Sequence, residues 1–390
     1  MTRRMIFHHP LPLVPDSASA SGIRPVQMRR AFEELGYEVW EVTGYTKERG
    51  RLAAEVRYAI RRGVRFDFCY SESSTMPMTM TNPSHLPTRP FLDVGFFRLL
   101  RGSGIPVGQF LRDIYWVFPD YRESLSFLKL QAALAAYEWD MRTLRRHVDR
   151  VFLPSLKVGE YINLGNVPVS ALEPGHGHPE PLPGPGEGAS LFYVGGIGSD
   201  YKLHELFASV KQSWEKNLDV RLIVCLRPEE WDAVKHEYEQ WACPAIEVVH
   251  AHGNGLREYF ERTNIAAIVV DLDEYWKLGV PVKLYEYIGA GKPVMVTKGS
   301  LAGDMVERME LGWTVDNSPE AVVELLERLA NDPQEIRQAR ERVLVQRDEH
   351  TWLERARRAA EELTGAPVPE SEMGTEKPLP EAGIATATDS

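Results

Sequence analysis

Lys283 and Glu286 sit three residues apart in the stretch P-V-K-L-Y-E-Y-I-G-A-G-K-P-V-M-V, from Pro281 to Val296. Pro281 suits a first helical turn, Gly291 suits a C-terminal cap, and Pro293 to Val296 is an apolar run bounded by turn residues. The stretch therefore predicts one short helix leading into one buried strand. Residues three apart share a helix face, so Lys283 and Glu286 lie side by side near the N-terminal end, flanking Tyr285. That end carries unpaired N–H groups and the positive pole of the dipole, which makes it a ready anion site. A lysine adds a mobile cation, and a glutamate accepts from hydroxyls. Phosphate beside a sugar hydroxyl describes a nucleotide, whereas a solvated Lys–Glu pair on a capped helix is the plainer alternative.

Two further groups have the right types for chemistry. Leu191 to Val194 reads as a strand, followed by Gly195-Gly196-Ile197-Gly198 and a helix from about Lys202. Glycines between strand and helix form the arrangement that cradles phosphate, although such a cluster is weak evidence by itself. Ile105 to Leu111 reads as a buried strand ending at Arg112-Asp113-Ile114-Tyr115-Trp116. A charged pair at the carboxyl end of a strand is where an α/β fold places chemistry. Asp113 could serve as a general base for a hydroxyl or orient a substrate, and an Arg–Asp surface pair is the alternative.

The run Glu286-Tyr287-Ile288-Gly289-Ala290-Gly291-Lys292-Pro293-Val294 resembles the nucleotide-binding helix of GT-B glycosyltransferases, the family-4-like group 1 enzymes in particular. The resemblance implies two Rossmann-like domains facing one another across a cleft, with Glu286 holding the donor ribose. Lys283 fits a P-x-K-x-x-E variant in which the lysine approaches the diphosphate. The second glutamate of the usual E-x7-E signature falls on Leu278. In the same family the glycine turn, here Gly195, Gly196 and Ile197, lies against the donor diphosphate. The arginine and lysine of its usual motif fall on Gly196 and Tyr201, so Lys283 and backbone amides would carry the phosphates. The family's His-Asp pair, which faces the donor sugar, corresponds to Arg112 and Asp113.

The rest of the chain must position these groups. Met5 to His8 reads as a first strand, Pro10 to Pro25 as a loop, Val26 to Leu35 as a helix stopped by Gly36, and Tyr37 to Val42 as a strand. Strand, loop, helix, strand opens a Rossmann-like half. A basic helix follows over Glu48 to Arg62, then a strand over Val64 to Tyr70 delivering Ser71 to Ser74 to a loop. Thr75 to Pro90 reads as irregular, about Tyr121 to Val148 as one long helix, and Val151 to Leu153 as a strand. The segment P-G-H-G-H-P-E-P-L-P-G-P-G-E-G, within residues 173–190, suits neither helix nor strand and reads as a linker. His176 and His178, in a flexible segment without further ligands, make a weak metal pair. The expected organisation is an acceptor-binding domain over 1–172, the linker over 173–190 and a nucleotide-sugar domain over 191–348. A helix crossing back toward the first domain then occupies 349–364, and a disordered tail 365–390.

Composition bounds the reading. Residues 1–171 hold 23 Lys and Arg against 17 Asp and Glu, net +6, and the remainder holds 22 against 39, net −17. A basic first half within an acidic chain suits an anionic acceptor or peripheral contact with a membrane surface. No nucleic-acid motif is visible. Cys69, Cys225 and Cys243 are too few and too scattered for a disulfide framework or zinc site. No apolar run reaches bilayer length, and the start offers only a short apolar segment, Met5 to Phe7, so a cytoplasmic protein is expected. Asp271-Leu272-Asp273-Glu274 could bind Mg²⁺, but a solvated loop is preferred and no metal or resident cofactor is expected.

Together these readings imply transfer of a sugar from a UDP or GDP sugar to a hydroxyl of a saccharide, lipid-linked saccharide or envelope polymer. The alternatives are an epimerase of the same architecture and a non-catalytic nucleotide-sugar-binding or scaffold subunit.

Overall fold

The computed structural model describes residues 2–15, 20–198, 201–271 and 276–368. The expected tail beyond residue 368 and most of the acidic loop at 271–276 lie outside the described residues. Six strands form a first sheet: β1 (Arg4–His9), β2 (Glu38–Thr43), β3 (Phe68–Glu72), β4 (Val107–Phe110), β5 (Arg150–Leu153) and β6 (Val169–Ala171), in the order β2-β1-β3-β4-β5-β6. A second sheet holds β7 (Ala189–Val194), β8 (Val220–Cys225), β9 (Ile246–Val249), β10 (Ile265–Ile268), β11 (Val294–Thr297) and β12 (Gly312–Val315), in the order β12-β11-β10-β7-β8-β9. All the pairings are parallel. Parallel strands need crossovers, which put helices on both faces, so central strands are buried on both sides. That is why β10 and β11 are almost wholly apolar, and why they and β3, which ends in Ser71 and Glu72, are buried throughout. The architecture is the two-domain α/β one expected.

Several boundaries differ from the sequence reading. The first helix runs Ala20–Glu34 and contains Pro25, so the loop after β1 is shorter. Pro25 lies in the second turn, so its missing N–H costs the helix one intrahelical hydrogen bond. Ser71 and Glu72 belong to β3 and are buried, not delivered to a loop. The long helix is broken into Pro119–Glu123 and Phe127–His147; between them Ser124 donates its hydroxyl to the Tyr121 carbonyl, the local competition that serines offer a helix. The helices Leu92–Gly102 and Pro333–Gln346 and the three-residue β6 had no counterpart in the sequence reading.

The Pro/Gly-rich segment is pinned rather than loose. The His176 N–H donates to the His350 carbonyl at 2.9 Å, and the Trp352 N–H returns to the His176 carbonyl at 3.1 Å. His176 is buried, and its Nε2–H donates to the Arg347 carbonyl at 2.8 Å. Further along, the buried Lys292 ammonium donates to the carbonyls of Pro183 and Thr263 at 2.6 and 2.8 Å. A chain without helix or strand must find such partners for its backbone when it is buried. The two crossings between domains, one at Gly175–His176 and the other at His350–Trp352, thus form one hydrogen-bonded unit.

From the second crossing the helix Trp352–Thr364 lies against the first domain, burying Trp352, Ala356, Ala359, Ala360 and Leu363 against Met5, Phe7, Met28 and Phe32. A fully buried side chain of the size of Leu, Phe or Met contributes about 1.5–3 kcal/mol. Gly175 lets the crossings touch, because a Cβ there would lie 2.6 Å from the Trp352 nitrogen and 2.7 Å from the Thr351 carbonyl carbon. Backbone on both sides leaves no flexible side chain to yield. Gly175→Ala is therefore expected to cost about 1–3 kcal/mol by overpacking, read as a lower midpoint in thermal unfolding. An unchanged midpoint would show that the crossings move apart freely.

Candidate functional site

The strand order of the second sheet reverses between β7 and β10, and the crevice beyond the carboxyl ends of such strands is where α/β sheets take ligands. β7 ends at Val194 and runs into Gly195, whose N–H donates to the Cys225 carbonyl at 3.1 Å. The chain after β10 returns as the helix Val282–Gly289, which starts after Pro281 in extended conformation and ends as Gly291, at φ 70°, turns into β11. Glycine is favoured at that position because the left-handed conformation costs it nothing. Leu284, Tyr285, Tyr287 and Ile288 are fully buried. The Tyr287 hydroxyl accepts from the Val194 N–H at 3.0 Å and so ties the helix to the end of β7.

This packing brings Lys283 onto the glycine turn. Its Nζ donates to the Tyr193 hydroxyl at 3.2 Å and lies 4.4 and 4.7 Å from the ring centroids of Tyr193 and Tyr201. A Cβ on Gly195 would come within 2.9 Å of that Nζ, so the glycine makes room for the lysine. The Tyr193 hydroxyl donates onward to the Gly196 carbonyl at 2.6 Å. Burial lowers the Lys283 ammonium to about 7. Its neighbours are aromatic faces and a hydroxyl, which offset desolvation less than a carboxylate does. At the same turn the Ile197 N–H donates to Glu230 Oε2 at 3.3 Å. Gly195, Gly196, Ile197 and Lys283 are thus assembled in one place.

Glu286 lies on the same helix with its side chain 35 % exposed, and its Oε2 is 3.0 Å from Nε2 of His178. The histidine comes from the Pro/Gly-rich segment, held there as Arg347 donates to the His178 carbonyl at 2.8 Å. Tyr285 is a correction. Its ring is 0 % exposed, in the core with Met305 and beside His350, with Arg355 over its face at 5.5 Å. A residue beside Glu286 in sequence points about 100° away around a helix, which carries Tyr285 inward.

Arg112 and Asp113 follow β4 in the first domain and are partly exposed. The Arg112 N–H donates to the Ser73 hydroxyl at 3.0 Å, and Asp113 Oδ1 accepts from the Tyr115 N–H at 2.7 Å, closing an Asx-type turn. Trp116 in that turn stacks on Tyr137 at 4.0 Å. The turn is therefore rigidly carried, with the pair at the carboxyl edge of the sheet.

Sequence reading missed several polar residues. His8 bridges the Ser71 hydroxyl at 2.8 Å and Asp93 at 3.1 Å, and Asp93 takes two bonds from Arg49 at 2.8 and 3.0 Å. Burial alone would raise the Asp93 carboxyl, but the His8 hydrogen bond and the Arg49 charge hold it at about 2. Arg24 donates to Glu72 at 3.1 Å and stacks on Phe110 at 3.6 Å. All six are buried, so they fix the loops around β1 and β3 rather than face a ligand. Tyr193 and Glu230 were also missed, and His178, read only as half of a weak metal pair, lies instead beside Glu286. Only Tyr193 carried a signal, as the one polar tip in Leu191 to Val194 just before the glycines.

Residues 188–332 match the family described as glycosyl transferases group 1. No curated protein matches the chain in sequence. Among solved structures, Anabaena HepE in complex with UDP and glucose is 14 % identical, with a TM-score of 0.59, and the match covers 93 % of this chain and 100 % of that one. WaaG, a glycosyltransferase involved in lipopolysaccharide biosynthesis, is 13 % identical, with a TM-score of 0.56 and the same coverage. A glycosyltransferase from Rickettsia africae is 12 % identical, with a TM-score of 0.57, covering 93 % of this chain and 99 % of that one.

A phosphate bound at this turn would favour the charged form of Lys283. With the free group titrating at about 7, binding above that pH must take up a proton. Nucleoside diphosphate affinity is then expected to fall as pH rises above about 7, by up to about tenfold per unit, until the pKa of the bound state is passed. Calorimetric titrations with UDP and GDP between about pH 7 and pH 9 test this, and Lys283→Arg, whose cation does not titrate there, should lose the slope. An equal slope in Lys283→Arg would assign the proton elsewhere.

Proposed function

We propose that this GT-B chain, whose second domain carries the group 1 glycosyltransferase family, transfers a sugar from a nucleoside-diphosphate sugar to an acceptor hydroxyl. The observation that carries the reading is the meeting of Lys283 with the Gly195–Ile197 turn at the strand-order reversal, one helical turn from Glu286. Diphosphate and ribose lie side by side in a nucleotide sugar, and these groups offer a cation with backbone N–H for the one and a carboxylate for the other. The donor is a UDP or GDP sugar. The acceptor is a saccharide, a lipid-linked saccharide or an envelope polymer. Among the described residues no helix is long and apolar enough to cross a membrane.

Transfer breaks the bond between the anomeric carbon and the leaving phosphate oxygen and forms one to the acceptor oxygen, which gives up its proton. Positive charge grows on the sugar and negative charge on the diphosphate. Lys283 and the turn's backbone stabilise the leaving group, most effectively where water is excluded. Glu286 accepts from the ribose hydroxyls. Asp113, across in the first domain, takes the acceptor proton or orients the sugar, with Arg112 beside it. His178 stands beside the Glu286 carboxylate, its Nε2 3.0 Å from Oε2.

Calorimetric titration with UDP, GDP and their common sugar conjugates tests the donor half. One nucleotide is expected to bind in the micromolar range, with Glu286→Ala and Lys283→Ala each losing about tenfold or more, as removal of a charged hydrogen-bonding partner does. No binding of any nucleotide by the unaltered protein would sink the reading. Asp113→Asn tests the acceptor half: turnover should fall while nucleotide affinity is kept. Nucleotide binding with no turnover on any acceptor would favour a binding subunit, and release of an altered nucleotide sugar without acceptor would favour an epimerase.

A further inference from the structure

Charge is short at this donor site. A diphosphate brings at least two negative charges, and the places where group 1 enzymes would set an arginine and a lysine hold Gly196 and Tyr201. Lys283 remains, and desolvation leaves it only partly protonated near neutral pH. One more cation stands nearby. β8 pairs with β7 as far as Cys225, whose carbonyl takes the Gly195 N–H, and Arg227 leaves the sheet two residues later, beside the turn. Arg227 is half exposed and forms an ion pair with Glu230, one turn into the helix Pro228–Tyr238. Glu230 in turn accepts the Ile197 N–H at 3.3 Å, and a Cβ on Gly196 would lie 3.4 Å from the same carboxylate oxygen. A side-chain carboxylate thus occupies a backbone donor of the phosphate turn.

We propose that Arg227 and Glu230 are an exchange pair at the phosphate site. A bound diphosphate takes the Ile197 N–H from the Glu230 carboxylate, and Arg227 passes from Glu230 to the phosphates as the second cation of the site. The exchange follows from charge: a carboxylate and a diphosphate cannot share one N–H without like-charge repulsion, whereas the guanidinium can pair with either. Arginine suits the role because its planar fork binds phosphate and carboxylate in the same manner. Glu230 keeps the turn satisfied when no donor is present and competes with the diphosphate when one is. The exchange rests on the nucleotide-sugar reading above and adds to it a phosphate-binding arginine with an internal competitor.

The test uses the whole protein and calorimetric titration with UDP and GDP, and with uridine and guanosine as competitors lacking phosphates. Glu230→Gln is expected to bind the preferred diphosphate about threefold to tenfold more tightly, since the competing charge is gone. Arg227→Ala should bind it about tenfold more weakly, and Arg227→Lys should keep most of the affinity. In a Glu230→Ala background Arg227→Ala should still weaken binding, which separates loss of the cation from release of the carboxylate. Nucleoside binding should stay level throughout, a pattern that general damage to the turn would not give. Diphosphate binding that Lys283→Ala weakens, but that changes less than about twofold in Glu230→Gln and Arg227→Ala, would overturn the exchange pair and leave the donor site standing. No nucleotide binding by the unaltered protein would remove both.

Discussion

The site depends on the divergence of β7 and β10 at their carboxyl ends. Neighbouring parallel strands whose connections leave in opposite directions open a crevice that no side chain of the sheet fills. One wall is the glycine turn after β7, and the other is the helix Val282–Gly289, whose buried tyrosines and leucine anchor it. Because Tyr287 grips the Val194 N–H, the helix cannot slide along the sheet without leaving that donor unpaired. Lys283 is thereby held against Tyr193 and Tyr201 in partial isolation from water. An ammonium kept there by aromatic faces is under-compensated for its desolvation.

The connection between domains is part of the same construction. The segment that leaves the first domain is hydrogen-bonded at His176 to the returning chain at His350 and Trp352. It then passes alongside the helix Val282–Gly289, where His178 comes within 3.0 Å of Glu286. Arg355 donates to the Pro174 carbonyl and to His350, and Arg24 reaches the Glu173 carbonyl from the first domain. Buried guanidiniums with several oxygen or nitrogen partners are costly to disturb, since removing a partner strands a charge. A shift of one domain relative to the other must therefore act on the chain that carries His178. Geometry at the Glu286 carboxylate and at the domain crossings is coupled through three residues of backbone.

Much of this was legible along the chain. The helix from Pro281, its glycine stop and the strand after it are local matters of capping and apolar runs, and each appears within a residue or two of its reading. The glycine turn likewise declared itself through composition and position. What stayed hidden lay at long sequence separation. Lys283 and Tyr193 are 90 residues apart, His178 and Glu286 meet across a segment that composition marks as loose, and Glu230 reaches Ile197 from a helix with no motif. Tyr285 failed for the opposite reason: proximity in sequence placed it with Glu286, while helical rotation buried it.

The two α/β domains, the parallel character of their buried strands and the helix Val282–Gly289 with its lysine and glutamate follow from local sequence. These rest on periodicity and turn chemistry, which act over a few residues. Only the packing of the whole chain decided which groups share the crevice: a lysine desolvated by two tyrosines, a glutamate flanked by a histidine from the crossing segment, and an arginine and glutamate beside the glycine turn. Those neighbours are set by sheet order and by the packing of one domain's chain across the other. Strand order is fixed by which crossovers bury the most apolar surface without an unpaired edge in the core, a property of the whole fold that no local pattern encodes.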